Sequence, residues 1–150
     1  MTAPIVAGWK EYADFPEWGL RRVKVKLDTG ARSAAIGARL CVVFDNPDGT
    51  QEAELHLAPY RRRPERVVVV RVPVVGFKVV KSSCGDPALR PVVEVLVRLG
   101  PVAKRVAATV ADRTGMLIPV LLGRLALAPE FVVDPGRKYV LRKPATDEHG

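Results

Sequence analysis

Hydrophobic and polar positions alternate through much of the chain, and that alternation predicts strands. In Val23-Lys24-Val25-Lys26-Leu27 the apolar side chains point one way and the lysines the other, so residues 20–27 read as a half-buried strand. Upstream, 4–9 reads as a short edge strand and 10–19, with Pro16 and two aromatics, as a loop. Downstream, small residues from Ser33 lead into an apolar strand ending at Phe44. Asn46-Pro47-Asp48-Gly49 then supplies turn chemistry, and Glu52 to Leu57 alternates again, so 39–57 is expected to form a hairpin. The β-branched run 67–73 reads as a strand ended or edged by Pro73. Residues 76–81 are amphipathic, and 82–87 are small and polar, suited to a hairpin tip or lid. Strands are expected at 91–99 and 102–111, joined by a turn at Gly100-Pro101, and a loop follows at 112–115. Residues 118–122 read as an apolar strand, Gly123 as a turn, and 124–128 as a short helix ended by Pro129. The pairs 131–133 and 138–141 suggest a closing hairpin across Asp134-Pro135-Gly136. Many short strands with one short C-terminal helix imply an all-β, barrel-like domain over 1–142, with 143–150 as a disordered tail.

Composition narrows the partners. At 150 residues the chain fits one domain, and no apolar run approaches the ~20 residues of a membrane span. The first residues lack the basic start and apolar stretch of a signal peptide. Cys41 and Cys84 have no metal-ligand spacing and read as reduced thiols, which places the protein in the cytoplasm. The net charge is +8, and its densest cluster is Arg61-Arg62-Arg63 with Arg66. With no recognition-helix pattern, zinc-finger spacing or stacking-aromatic motif, this cluster reads as a solvated connector, and nucleic acid is not the expected partner. Trp9 and Trp18 sit in no aromatic cluster and read as packing residues.

One stretch carries chemistry. The strand at 20–27 runs directly into Asp28-Thr29-Gly30-Ala31, which places a carboxylate just past a strand end, fixed by the sheet and able to reach a cleft. Gly30 allows a tight turn and Thr29 a locking hydroxyl. The bland alternative is a turn aspartate whose carboxylate bonds backbone amides. The remaining aspartates (Asp14, Asp45, Asp48, Asp86, Asp112, Asp134, Asp147) fall in turns, loops or the tail without this loop chemistry.

Taken with Val120-Leu121-Leu122-Gly123-Arg124, the Asp28 loop resembles that of retropepsin-like aspartic proteases. The ordered set Gly8-Trp9, Asp28 to Ser33, Ser82-Ser83 with Gly85, Arg90-Pro91-Val92, Leu121 to Arg124 and Val133 to Gly136 is similar to one bacterial group. That group carries the label ATP-dependent zinc protease, and its relatives accompany ATP-grasp glutamate ligases. The resemblance spans about residues 7 to 141 and implies a closed retropepsin-like barrel. The label does not suit the residues. The only histidines are His56 and His149, no His-Glu-x-x-His occurs, and no Gly-rich loop followed by Lys-Ser/Thr is present, so no metal, nucleotide or other cofactor is expected.

An aspartic protease needs two carboxylates sharing one proton across a water. With one Asp-Thr-Gly in the chain, the resemblance implies a two-fold homodimer with Asp28 contributed twice. It makes Asp28, Thr29 and Gly30 the catalytic loop. Ala31, Arg32, Lys81, Ser82, Ser83 and Gly85 become substrate-binding residues, the last four in a flap that excludes water on closing. Leu122, Gly123 and Arg124 become structural support beneath the loop. Viral retropepsins carry an acid shortly after this loop, whereas Arg32 follows Ala31 here, so Arg124 lacks that ion-pair partner. Arg32 and Lys81 favour a peptide or protein substrate that is acidic, such as a glutamate-rich tail. The competing readings are a non-catalytic peptide-binding module on the same fold and a basic nucleic-acid-binding β-barrel using Arg61 to Arg66.

Overall fold

The computed structural model describes residues 3–80, 87–111 and 118–141. Ten strands and one short helix follow one another: β1 (Ile5–Phe15), β2 (Leu20–Leu27), β3 (Ala34–Gly37), β4 (Leu40–Asp45), β5 (Gln51–Leu57), β6 (Val68–Val80), β7 (Ala88–Leu99), β8 (Val102–Ala111), β9 (Val120–Leu122), α1 (Arg124–Leu127) and β10 (Phe131–Lys138). Their order across the sheet is β10-β1-β2-β9-β3-β8-β7-β6-β5-β4, and β1 also touches β7. The six strands β1, β2, β9, β3, β8 and β7 therefore make a ring. It is closed by a single residue pair, Asp14 opposite Arg98, so the expected closed barrel is a ring of strands rather than a continuously bonded barrel.

Alternation explains the core. Val23, Val25 and Leu27 of β2 are buried, as are Val93, Val95, Val97 and Leu99 of β7, with Leu55 and Phe15 among the largest fully buried side chains. The β4–β5 and β7–β8 hairpins form as expected, the second turning at Gly100 with φ of 57°, a left-handed conformation that glycine adopts without a Cβ penalty. Helix α1 starts at Arg124 after Gly123, as read from the sequence.

Three elements differ from expectation, each for a local reason. The expected edge strand 4–9 and the first part of the expected loop 10–19 are one strand, β1, which continues to Phe15 and lies between β10 and β2, leaving 16–19 as the turn. Its buried face runs through Glu11, Ala13 and Phe15, and a carboxylate at a core position broke the apolar period. The expected strand end at Pro73 is an interior position of β6. Pro73 lies opposite Glu52 of β5, and from Val74 onward β6 pairs with β7, so the residue lacking an N–H sits where the pairing changes hands. The expected hairpin over 131–141 is instead one strand, β10, parallel to β1. Asp134 accepts hydrogen bonds from the Gly136 N–H at 2.8 Å and Arg137 Nε at 2.8 Å. These bonds hold Pro135-Gly136 as a bulge between the Gly8–Asp134 and Lys10–Lys138 pairs.

The buried carboxylate of Glu11 ties the ends of the chain together. Its Oε2 accepts the N–H of Gly8 at 2.7 Å and of Val140 at 2.9 Å, and Oε1 accepts the N–H of Leu141 at 3.1 Å. The Tyr139 N–H adds a bond to the Lys10 carbonyl at 2.9 Å, and the Tyr12 and Tyr139 rings stack 4.5 Å apart. A Cβ at Gly8 would collide with the Arg137 carbonyl, so only glycine admits β10 this close. Replacing Glu11 with Ala leaves one buried and two half-buried donors unpaired and is expected to cost about 3 kcal/mol in a urea titration. Glu11→Gln keeps one acceptor oxygen and is expected to lose less; equal stability of all three proteins would refute the clamp.

Candidate active site

The Asp28 loop exists because of strand order. β2 and β3 are not neighbours: β9 lies between them, parallel to β2 (Leu27 opposite Leu122) and antiparallel to β3 (Ala35 opposite Leu121). Residues 28–33 must therefore cross over the end of β9, a span of about two inter-strand spacings, or ~10 Å. The chain leaving β9 holds that crossing in place. The Asp28 N–H donates to the Leu122 carbonyl at 2.9 Å, the Arg124 N–H to the Ala31 carbonyl at 2.8 Å, and the Leu125 N–H to the Arg32 carbonyl at 2.9 Å. Arg124 Nη1 donates to the Thr29 carbonyl at 3.0 Å. Buried Gly123 passes directly beneath: a Cβ there would lie 2.5 Å from the Ser33 carbonyl oxygen and 2.7 Å from that of Ala31.

Within the loop, Asp28 Oδ1 accepts the Gly30 N–H at 2.9 Å and the Ala31 N–H donates to the Asp28 carbonyl at 3.2 Å. These bonds fix the carboxylate by one oxygen. Asp28 is half-buried, whereas Thr29 and Gly30 are exposed. The Thr29 hydroxyl has no partner among the described residues. Arg32 is exposed, and Arg124 has no carboxylate partner among the described residues. The structure thus brings Asp28, Thr29, Gly30, Ala31 and Arg32 together with Leu122, Gly123 and Arg124.

Lys81, Ser82, Ser83, Cys84 and Gly85 lie outside the described residues. The β6–β7 arm that leads to them carries Phe77, Val79 and Leu89 exposed, at 45%, 59% and 65%. Lys78 on this arm donates from Nζ to Ser33 Oγ at 3.3 Å, which connects the arm to the end of the Asp28 loop. Sequence reasoning did not single out Lys78 or Ser33 as site residues. Lys78 belongs to an amphipathic stretch, and only its contact across 45 positions distinguishes it. Among the described residues no three His, Cys, Asp or Glu side chains converge as a metal site would require, and His56 is engaged with Glu54 at 3.1 Å. No helix of the described residues is long and apolar enough to cross a membrane.

The all-β chain, with an Asp-Thr-Gly-Ala loop braced by a Leu-Gly-Arg turn from the strand beside it, fits the retropepsin-like class. The chain belongs to the RimB-like family of retropepsin-like aspartic endopeptidases, whose sequence model matches residues 6–144. It is also similar to two proteins named probable alpha-L-glutamate ligase. One, from Desulfotalea psychrophila, is 27% identical over 145 residues, covering 97% of this chain and 31% of the relative. The other, from Shewanella pealeana, is 29% identical over 136 residues, covering 91% and 30%. The chain thus spans less than a third of the length of these relatives. Among solved structures, a Legionella pneumophila protein described as of unknown function aligns with a TM-score of 0.78 and 26% identity, over 93% of this chain and 100% of its own.

The close approach at Gly123 makes a direct test of the brace. Gly123→Ala must push apart the carbonyls of Ala31 and Ser33 and is expected to destabilise the fold by about 1–3 kcal/mol. Backbone amide shifts in a nuclear magnetic resonance spectrum are expected to concentrate at 28–33 and 122–125. Unchanged stability with unshifted loop amides would remove Gly123 from this role.

Proposed function

We propose that the chain is an aspartic endopeptidase that works as a two-fold homodimer, with Asp28 of each copy facing the other across the axis. The observation that carries this reading is the single braced Asp28 loop in a member of an aspartic endopeptidase family. One loop provides one carboxylate, and the chemistry needs two that share a proton. In the assembled site one Asp28 carboxylate takes a proton from a bound water, whose oxygen attacks the peptide carbonyl carbon. The protonated carboxyl of the other copy donates to the carbonyl oxygen. Collapse of the tetrahedral intermediate breaks the C–N bond, and the leaving amine takes a proton from the dyad. The Gly30 N–H on Oδ1 orients the carboxylate, and the Thr29 hydroxyl faces the second copy.

The exposed apolar residues of the β6–β7 arm cover the bound peptide and exclude water when the arms close. Arg32 beside the loop and Lys78 on the arm present positive charge to the peptide, supporting a preference for acidic sequences such as glutamate-rich tails. The names of the longer relatives, probable alpha-L-glutamate ligase, agree with a glutamate-containing substrate in the same biological setting.

The decisive experiment measures cleavage of glutamate-tailed and mixed-sequence peptides at several pH values, alongside sedimentation of the protein. Asp28→Asn is expected to lower the rate by at least about 10³-fold while leaving the dimer intact. Premixing and exchanging equal amounts of wild type and Asp28→Asn is expected to leave about a quarter of the dimers fully wild type, with activity falling in proportion. Cleavage that survives Asp28→Asn, or activity from a strictly monomeric protein, would refute the mechanism.

A further inference from the structure

A second concave feature lies away from the Asp28 loop. Arg22 and Lys24 of β2, together with Tyr60, Arg61 and Arg62 of the connector after β5 and Pro119 before β9, line an open cleft of about 410 Å³. Its charged lining is entirely cationic. Lys24, Arg61 and Arg62 have no carboxylate within ion-pair distance among the described residues, although other surface cations do: Arg71 pairs with Glu54, Arg105 with Glu17 and Lys104 with Glu130. Neighbouring charge adds to the field. The Lys10 ammonium is held below the usual lysine range, first by partial burial and then by Lys24, Lys138 and Arg61. Lys24, Arg61 and Arg62 thus concentrate positive charge in a site with its own walls, which sets it apart from a solvated face.

We propose that this cleft is an exosite for acidic peptide segments, with Arg61, Arg62 and Lys24 binding carboxylates of a substrate that is cut at Asp28. The assignment rests on the endopeptidase reading and extends it to residues remote from the loop. Two observations select the occupant. First, Lys24 and Lys26 share one face of β2, and Asp28 follows directly on the strand's last residue, Leu27, so the cleft lies about four residues, or ~13 Å, along the chain from the loop. An extended peptide covers that distance in about four residues, which places carboxylates on one side of the scissile bond at a fixed offset. Second, the aromatic rings that nucleic-acid bases would stack on are already engaged. Tyr60 lies under Arg66 at 4.7 Å and gives its hydroxyl to the Arg21 carbonyl at 2.7 Å. Tyr12 is stacked on Tyr139 and has Arg22 over its ring at 4.6 Å. What the cleft offers is charge with fixed spacing, which suits a run of carboxylates.

The test uses fluorescence anisotropy with a labelled octaglutamate peptide, so that binding is read independently of cleavage. Arg61→Gln/Arg62→Gln is expected to weaken binding about tenfold, whereas Arg71→Gln/Arg105→Gln, with the same change in net charge, is expected to stay within about twofold. Both exposed pairs leave the core untouched, and circular dichroism confirms the fold. In kinetics with a glutamate-tailed peptide, the first pair is expected to raise KM with kcat held, and cleavage of a neutral peptide is expected to remain at wild-type rate. Equal binding by both variants would overturn the exosite while leaving the endopeptidase reading in place. Selective loss of binding in a protein that cleaves no peptide would keep the cleft and sink the endopeptidase reading. If a single-stranded oligouridylate displaces the peptide at lower concentration, and its own binding falls with Arg61→Gln/Arg62→Gln, the occupant is nucleic acid and the peptide assignment is overturned.

Discussion

The insertion of β9 between β2 and β3 is the constraint on which the candidate site depends. Two strands adjacent in sequence order are prevented from pairing, so the segment between them becomes an arch. Backbone groups that would have been spent on a β2–β3 ladder are satisfied instead by the chain leaving β9. This is why the loop is rigid without being buried. Its carbonyls at Thr29, Ala31 and Arg32 are each taken by the 124–125 segment, and its own carboxylate closes the turn at Gly30. Only a residue without a side chain fits at the crossing point, which ties Gly123 to the geometry of a loop nearly a hundred residues earlier.

How much of this was legible in the sequence depended on range. Features with local causes read clearly: the alternation of β2, the hairpin turns at 46–49 and 100–101, and the helix between Gly123 and Pro129. The misreadings came where a local signal was overruled by a distant partner. Residues 10–19 read as a loop because the buried Glu11 interrupts the apolar period, and two of its three backbone donors come from the chain around 140. Asp134-Pro135-Gly136 has the composition of a hairpin turn, but β10 runs parallel to β1 and absorbs those residues as a bulge. Pro73 signalled an end where β6 only exchanges one neighbour for another. Nothing in the local pattern of 120–122 states that these three residues separate β2 from β3. The ordered motifs pointed there through resemblance, and the pairing supplies the physical account.

The distribution of positive charge acquires a meaning that composition alone withheld. Arginine and lysine outnumber acids along the chain, yet several are neutralised in specific pairs, including the two-bond Arg105–Glu17 contact at 3.0 and 2.9 Å. Among the described residues, Lys24, Arg61 and Arg62 at the cleft and Arg32 and Arg124 at the loop have no such carboxylate partner. A net charge is a weak statement about function, whereas the location of the uncompensated part is a strong one.

The clamp at Glu11 extends the fold beyond its last strand. Strand pairing ends at Lys138, but the carboxylate at the centre of β1 still requires the N–H groups of Val140 and Leu141. A shortened chain ending with β10 would keep every strand and yet strand a buried negative charge with a single donor. The closure of the fold therefore extends at least three residues past this last strand, to Leu141. Leu141 is thereby fixed against the middle of the first strand, just past the last residue of β1 that pairs with β10.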